Sequence, residues 1–154
     1  AGHGDHNRMP RHHGRYLARH RRILRRAVTA HLLAMGRAFH AKVSPPWTFS
    51  DQGFLQTMAA IDEGGYLHVT PRGFIAGVIA PNPLSDGWVI AKEFLWWSED
   101  GRGQSLRQGF RKWAVEHGAN EIQWSCPPNE RVERVYARSA QKTETIYSEY
   151  PSCA

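Results

Sequence analysis

A ten-residue apolar run, WVIAKEFLWW over Trp88–Trp97, limits the fold of this chain more than any other stretch. Only Lys92 and Glu93 interrupt it. It is long enough for a central strand, and its Val, Ile, Phe and Trp favour extended backbone. A glycine turn follows, SEDGRG. Next comes QSLRQGFRKWAVEHGA, which puts Leu106, Phe110, Trp113 and Ala114 along one helical stripe, with Gly118 as its stop. NEIQWSC reads as a second apolar strand and PPNERVERVYARSA as a short helix opened by prolines. A strand feeding a glycine turn at a helix N-terminus is a place to hold phosphates, because the first N–H groups of a helix have no internal partners.

The chain before this stretch supplies layers to pack on it. RRILRRA, from Arg21, is short and apolar at its centre and suits an edge strand. AVTAHLLAMGRAFHAKV then places Leu32, Met35, Phe39 and Val43 at helical spacing, with Thr29 able to cap. One long helix from Arg15 to Lys42 is the alternative, since no proline interrupts it. Pro45 and Pro46 end either version. A second helix follows, capped by Ser50 or Asp51, with Phe54, Met58 and Ile61 on one face and Gly64-Gly65 as its stop. YLHV, the turn TPRG and FIAGVIA form a hairpin. QKTETIYSEY alternates Thr143, Thr145 and Tyr147 as a last strand. The expected order is β-α-α-β-β-β-α-β-α-β. It describes an α+β protein with a mixed, mostly antiparallel central sheet flanked by helices.

Charge divides the chain. The net charge is +6, yet residues 1–26 carry eight Arg and one acid, while the remainder carries twelve Lys or Arg against thirteen acids. Residues 1–20 therefore read as a basic, His/Arg-rich arm and 21–154 as the folded domain. Residues 8–26 suit nucleic acid or an acidic protein surface; a solvated tail is the plainer alternative. His3, His6, His12, His13 and His20 come without cysteines or spaced acids, so no metal is expected. Cys126 and Cys153 give no disulfide framework. No run is long enough for a membrane span, and no signal-peptide pattern follows the start. A cytoplasmic setting is the expectation.

Several segments together resemble the GNAT N-acyltransferases over about residues 21–150. RILRRAVTAHLLAMGRAFH is similar to that family's first strand and helix, with His31 where members often carry Asp. FIAGVIA resembles its third strand and EFLWW its fourth. KWAVEHGANEIQW resembles the helix and strand after its coenzyme turn. NERVERVYARSA follows the pattern N-x-x-A-x-x-L-Y-x-x-x-G-F at Asn129, Val135 and Tyr136, with Val132 at the Ala position. The flavour of EFLWW and WAVEHGA resembles members encoded by phages and prophages.

The resemblance implies acetyl-CoA as cosubstrate and an amine acceptor of unknown identity. Glu93 stands where members often place a general base, and burial would raise its pKa; a strand residue facing solvent is the alternative. Tyr136 corresponds to the general acid, or else is a core tyrosine. Asn129 would contact the coenzyme, or else cap a helix. Backbone N–H groups from Phe94 through Leu95 to Trp96 would polarise the thioester carbonyl. Gly101, Arg102, Gly103, Gln104 and Ser105 would meet the pyrophosphate. Trp47 lies where the family places its acceptor, or else covers the core as a loop aromatic. The family's turn reads Q/R-x-x-G-x-G/A. Here Ser98-Glu99-Asp100-Gly101-Arg102-Gly103 keeps both glycines, replaces the leading Gln or Arg, and adds two acids. A second alignment equates Arg102-Gly103 with the family's Arg-Gly and loses the later glycines at Ser105 and Arg107. Ala140-Gln141 replaces the family's Gly-Phe. These departures leave a second reading open. It is a catalytically silent GNAT-fold protein serving in a larger assembly such as a virion, with the basic arm as a contact.

Overall fold

A computed structural model of the chain describes residues 12–125, 130–138 and 140–142. It falls into two compact units, 1–123 and 124–154. In the first unit α1 (His12–Val43) and α2 (Asp51–Gly64) precede the strands β1 (Tyr66–Thr70), β2 (Gly73–Pro81) and β3 (Val89–Ser98). Helix α3 (Gln104–Glu116) and strand β4 (Glu121–Gln123) follow; α4 (Glu130–Ala137) belongs to the second unit. The sheet runs β1-β2-β3-β4. Its first two pairings are antiparallel and the third is parallel. This is the α+β architecture expected, a mixed and mostly antiparallel sheet flanked by helices.

The first expected strand does not form. RRILRRA lies inside α1, so the continuous helix is the correct alternative. The physical reason is local. Arg, Leu and Ala are good helix formers, and Ile23-Leu24 is one apolar pair without strand alternation. Gly14 is carried within the helix rather than breaking it. At the other end the Ser44 N–H reaches the His40 carbonyl at 2.8 Å, and Pro45 forbids another turn. Of the two caps offered for α2, the structure uses Ser50, whose hydroxyl accepts from the Gly53 N–H at 3.1 Å. Asp51 instead pairs with Arg37 of α1.

One face of the sheet holds the main core. Leu32 and Met35 of α1 and Met58 and Ile61 of α2 bury against Phe74 and Ala76 of β2. Phe54, Leu67, Val69, Val78, Leu95 and Trp97 complete it. The two helices come together where Gly36 leaves space for the Phe54 ring; a Cβ there would sit 2.6 Å from Phe54 Cζ. On the other face α3 turns Leu106, Phe110 and Ala114 inward. Phe110 occupies the space above Gly77 and meets Tyr66 edge-on at 5.7 Å. Each fully buried aromatic ring contributes about 1.5–3 kcal/mol relative to exposure. α3 ends as expected, with Gly118 taking the left-handed φ of 78° after the cap at His117.

Strand β4 is shorter than NEIQWSC suggests, covering Glu121–Gln123 alone. Trp124 and Ser125 follow it outside any strand. Most of the expected last strand, 143–150, lies outside the described residues, as do Asn129, Cys126 and Cys153. Among the described residues no helix is long and apolar enough to cross a membrane.

Candidate functional site

The site begins with a break in register. β2 and β3 pair regularly from Pro81↔Val89 to Gly77↔Glu93, then resume at Ala76↔Leu95. Phe94 is the extra residue, a β-bulge on β3. The bulge resets the alternation of side chains. Ala91 and Glu93 share a face with Gly77, the face under Phe110. Past the bulge, Leu95 and Trp97 join the opposite face and pack with the α1–α2 core. Trp96, paired with Ile75, returns to the α3 face. Trp96 and Trp97 therefore do point to opposite faces.

Glu93 is only 1% exposed, the most buried acid in the described structure. The solvent-facing alternative is thus excluded. Arg107 of α3 is the other buried charged side chain, and neither of the two stands without a partner. That is what burial of charge requires, because an isolated buried carboxylate is costly. Phe94, by contrast, is 49% exposed.

β3 and β4 are fastened at one end only. Asn120 is joined to Val89 twice, by its backbone N–H donating to the Val89 carbonyl and by its side-chain Oδ1 accepting from the Val89 N–H, both at 2.8 Å. The indole of Trp88 donates to Glu121 at 3.2 Å. Ladder pairing then covers Ile90↔Glu121 to Lys92↔Gln123 and stops. From Glu93 to Ser98 this edge of β3 has no strand partner among the described residues, while the other edge stays paired to β2 as far as Ser98. A strand edge of this kind offers unladdered N–H and C=O groups. Bulge, buried carboxylate and the end of the β3–β4 ladder among the described residues thus coincide near residues 93–96.

The open edge leads into the glycine turn, which is held from two sides. The Glu99 N–H donates to the Arg72 carbonyl of the β1–β2 turn at 2.9 Å. Asp100 accepts from the Ser98 hydroxyl at 2.9 Å and from the Arg102 N–H at 3.0 Å, with the Arg72 guanidinium 3.9 Å away. The Arg102 N–H and then the Ser98 hydroxyl hold the Asp100 carboxyl below its ordinary range. The Asp100 charge is therefore committed to bracing the loop. His31, at the family's Asp position, bonds the Pro71 carbonyl at 3.0 Å and ties α1 to the same β1–β2 turn.

The two glycines have separate reasons. Gly101 takes a φ of 68° with open space around it, a backbone state that side chains disfavour. Gly103 is the N-cap of α3, and a Cβ there would fall 2.6 Å from Trp96 Nε1. Its smallness leaves room for the Trp96 indole. The helix N-terminus itself suits an anion. No side chain caps it, and its first turn, beginning Gln104-Ser105, has no acid. Arg102, exposed beside it, adds a positive charge. These residues fit a pyrophosphate.

In the second unit Tyr136 is 7% exposed. Its ring stacks on Trp124 at 6.0 Å, and its hydroxyl donates to the Ser125 carbonyl at 3.4 Å. Asn129 falls outside the described residues. Trp47 is 55% exposed, and its ring lies 4.8 Å from His40, whose Nε2 is 2.9 Å from the Trp47 carbonyl. The sequence reading missed the bulge and the part of Arg72. A glycine at 77 facing a ten-residue strand was the signal available for the first.

Solved structures share this fold. A ribosomal-protein-alanine N-acetyltransferase from Brucella melitensis biovar Abortus 2308 matches at a TM-score of 0.57 and 14% identity, over 82% of this chain and 92% of that one. An aminoglycoside 6'-N-acetyltransferase from Acinetobacter haemolyticus matches at 0.54 and 15% identity, over 83% and 93%. An aminoglycoside N-acetyltransferase solved in complex with CoA matches at 0.52 and 18%, over 79% and 89%. No protein-family model and no curated protein matches the sequence. At these identities the likeness is one of fold.

Proposed function

We propose that the chain is a GNAT-type N-acyltransferase that takes an acetyl group from acetyl-CoA and transfers it to an amine. The observation that carries this reading is the bulge at Phe94 beside an edge of β3 that β4 leaves after Lys92. A linear acyl-pantetheine can pair with such an edge as a strand would. The fold shared with N-acetyltransferases supports the same reading.

The roles are assigned residue by residue. Acetyl-CoA would supply the acyl thioester. The first turn of α3, with Gln104, Ser105 and Arg102, holds the pyrophosphate. Backbone N–H groups along Phe94, Leu95 and Trp96 face charge developing on the thioester oxygen. Glu93 accepts the proton that the amine loses. Tyr136 is assigned by resemblance as the acid for the departing thiolate; within its own unit its hydroxyl donates to the Ser125 carbonyl. Asn129 is assigned to the coenzyme by resemblance.

The second reading, a silent GNAT-fold protein in a larger phage or virion assembly, draws on Asp100, a carboxylate fixed at the mouth of the turn. Release of free CoA thiol from acetyl-CoA, followed across a panel of primary amines, separates the two. Amine-dependent release with mass-detected acetylation is expected. Absence of release with every amine favours the silent reading.

A further inference from the structure

We propose that the N-terminal half of α1 is a nucleic-acid-binding helix that docks on the phosphate backbone of a duplex. This does not rest on acyl transfer. The 32 residues of α1 contain no acid at all. All eight basic residues of 1–26 are Arg, none Lys. Arginine presents a planar fork that fits phosphate oxygens in pairs, and it keeps its charge everywhere. Helical spacing places positions 15, 19, 22 and 26 on one side of α1, and all four are Arg. This row spans about 17 Å at 1.5 Å per residue.

The start of the described side chains of α1 is solvent-exposed, with His31 bonded to the Pro71 carbonyl. Ala27 to His31, more than one full turn, are exposed on every side, and Leu32 is the first buried residue of α1 among the described side chains. Residues 12–26 belong to the same helix. The basic arm is therefore a helical extension of the domain's first helix from His12 onward.

The partner follows from what the row lacks. Like charges three and four apart, as at 15/19, 19/22, 22/26 and 21/25, destabilise a helix unless anions offset them. An acidic protein surface would call for apolar anchors among the charges, and the row has none. An interfacial membrane helix needs a broad apolar face. Here helical spacing puts only Leu17 and Leu24 opposite the row, together with His13 and His20, while positions 16 and 23 fall at its flank. Closely spaced phosphates remain, and a duplex carries one about every 1.7 Å of axis.

The test is fluorescence anisotropy of a random-sequence DNA duplex titrated with the full chain at several salt concentrations. With four phosphates neutralised, affinity should fall about a hundredfold between about 50 and 200 mM salt. The quadruple variant R15A/R19A/R22A/R26A should lose most of that salt dependence. R21A/R25A should lose little, and Arg→Lys at the same four positions should keep it. Circular dichroism checks that each variant folds, and wild-type helicity should rise when duplex is added. Equal loss per Arg removed, whatever its side, would make the segment an unstructured polycation and overturn the proposal. Binding to phosphatidylserine vesicles or to a poly-glutamate peptide, with none to duplex, would overturn it as well.

Discussion

Glu93 concentrates the functional argument into one side chain. Its strand neighbours could have buried any apolar residue, yet a carboxylate is buried there and partnered. If it is the base, Glu93→Gln should lower kcat by about 10²–10⁴ with KM little changed and the far-UV spectrum intact. An unchanged kcat would remove Glu93 from the reaction, and a collapse of the melting transition would give it a structural role. Gly77, its partner across the bulge, is constrained by packing. A methyl group there would run into the Phe110 ring and the Lys92 carbonyl. Gly77→Ala should cost about 1–3 kcal/mol in denaturant unfolding, as overpacking does. Gly64→Ala, at the end of α2 with nothing within 4 Å, should be neutral or stabilise by up to about 1 kcal/mol. If the two variants unfold at the same midpoint, the close packing of α3 on β2 is wrong.

At the scale of elements, sequence and structure agree where periodicity was long and disagree where it was short. α2, β1–β2, β3 and α3 all formed close to their expected limits, because each carries an apolar pattern bounded by proline, glycine or a cap. RRILRRA misled because two apolar residues cannot distinguish strand from helix. The bulge was hidden because an unbroken apolar run looks the same whether its alternation is continuous or reset at Phe94. The phosphate turn was legible as a turn, but the uses of its parts were not. In the sequence Asp100 is only one of two added acids, whereas in the structure it braces the loop through Ser98, Arg102 and Arg72. Because its carboxyl is held low in the folded chain, the stabilisation is present at neutral pH and is lost as pH falls through that lowered value. The Arg102 amide resonance should therefore titrate with a midpoint below the usual carboxylate range, and Asp100→Asn should abolish the titration. A midpoint at the ordinary value would mean that Asp100 does not hold the turn.

At the scale of the whole molecule, two features with different proposed ligands share one chain. The sheet carries a bulged, half-open strand leading to an uncapped helix N-terminus. The first helix carries Arg at positions 15, 19, 22 and 26, which share one side by helical spacing. The fold is that of N-acetyltransferases, and the central claim is that this chain still binds their acyl donor despite its altered turn. Isothermal titration of the full chain with acetyl-CoA tests that claim most directly. Saturable binding at one site is expected, weakened at least tenfold by Gly103→Val, whose side chain would clash with Trp96. No heat at millimolar acetyl-CoA, with the protein folded, would contradict it.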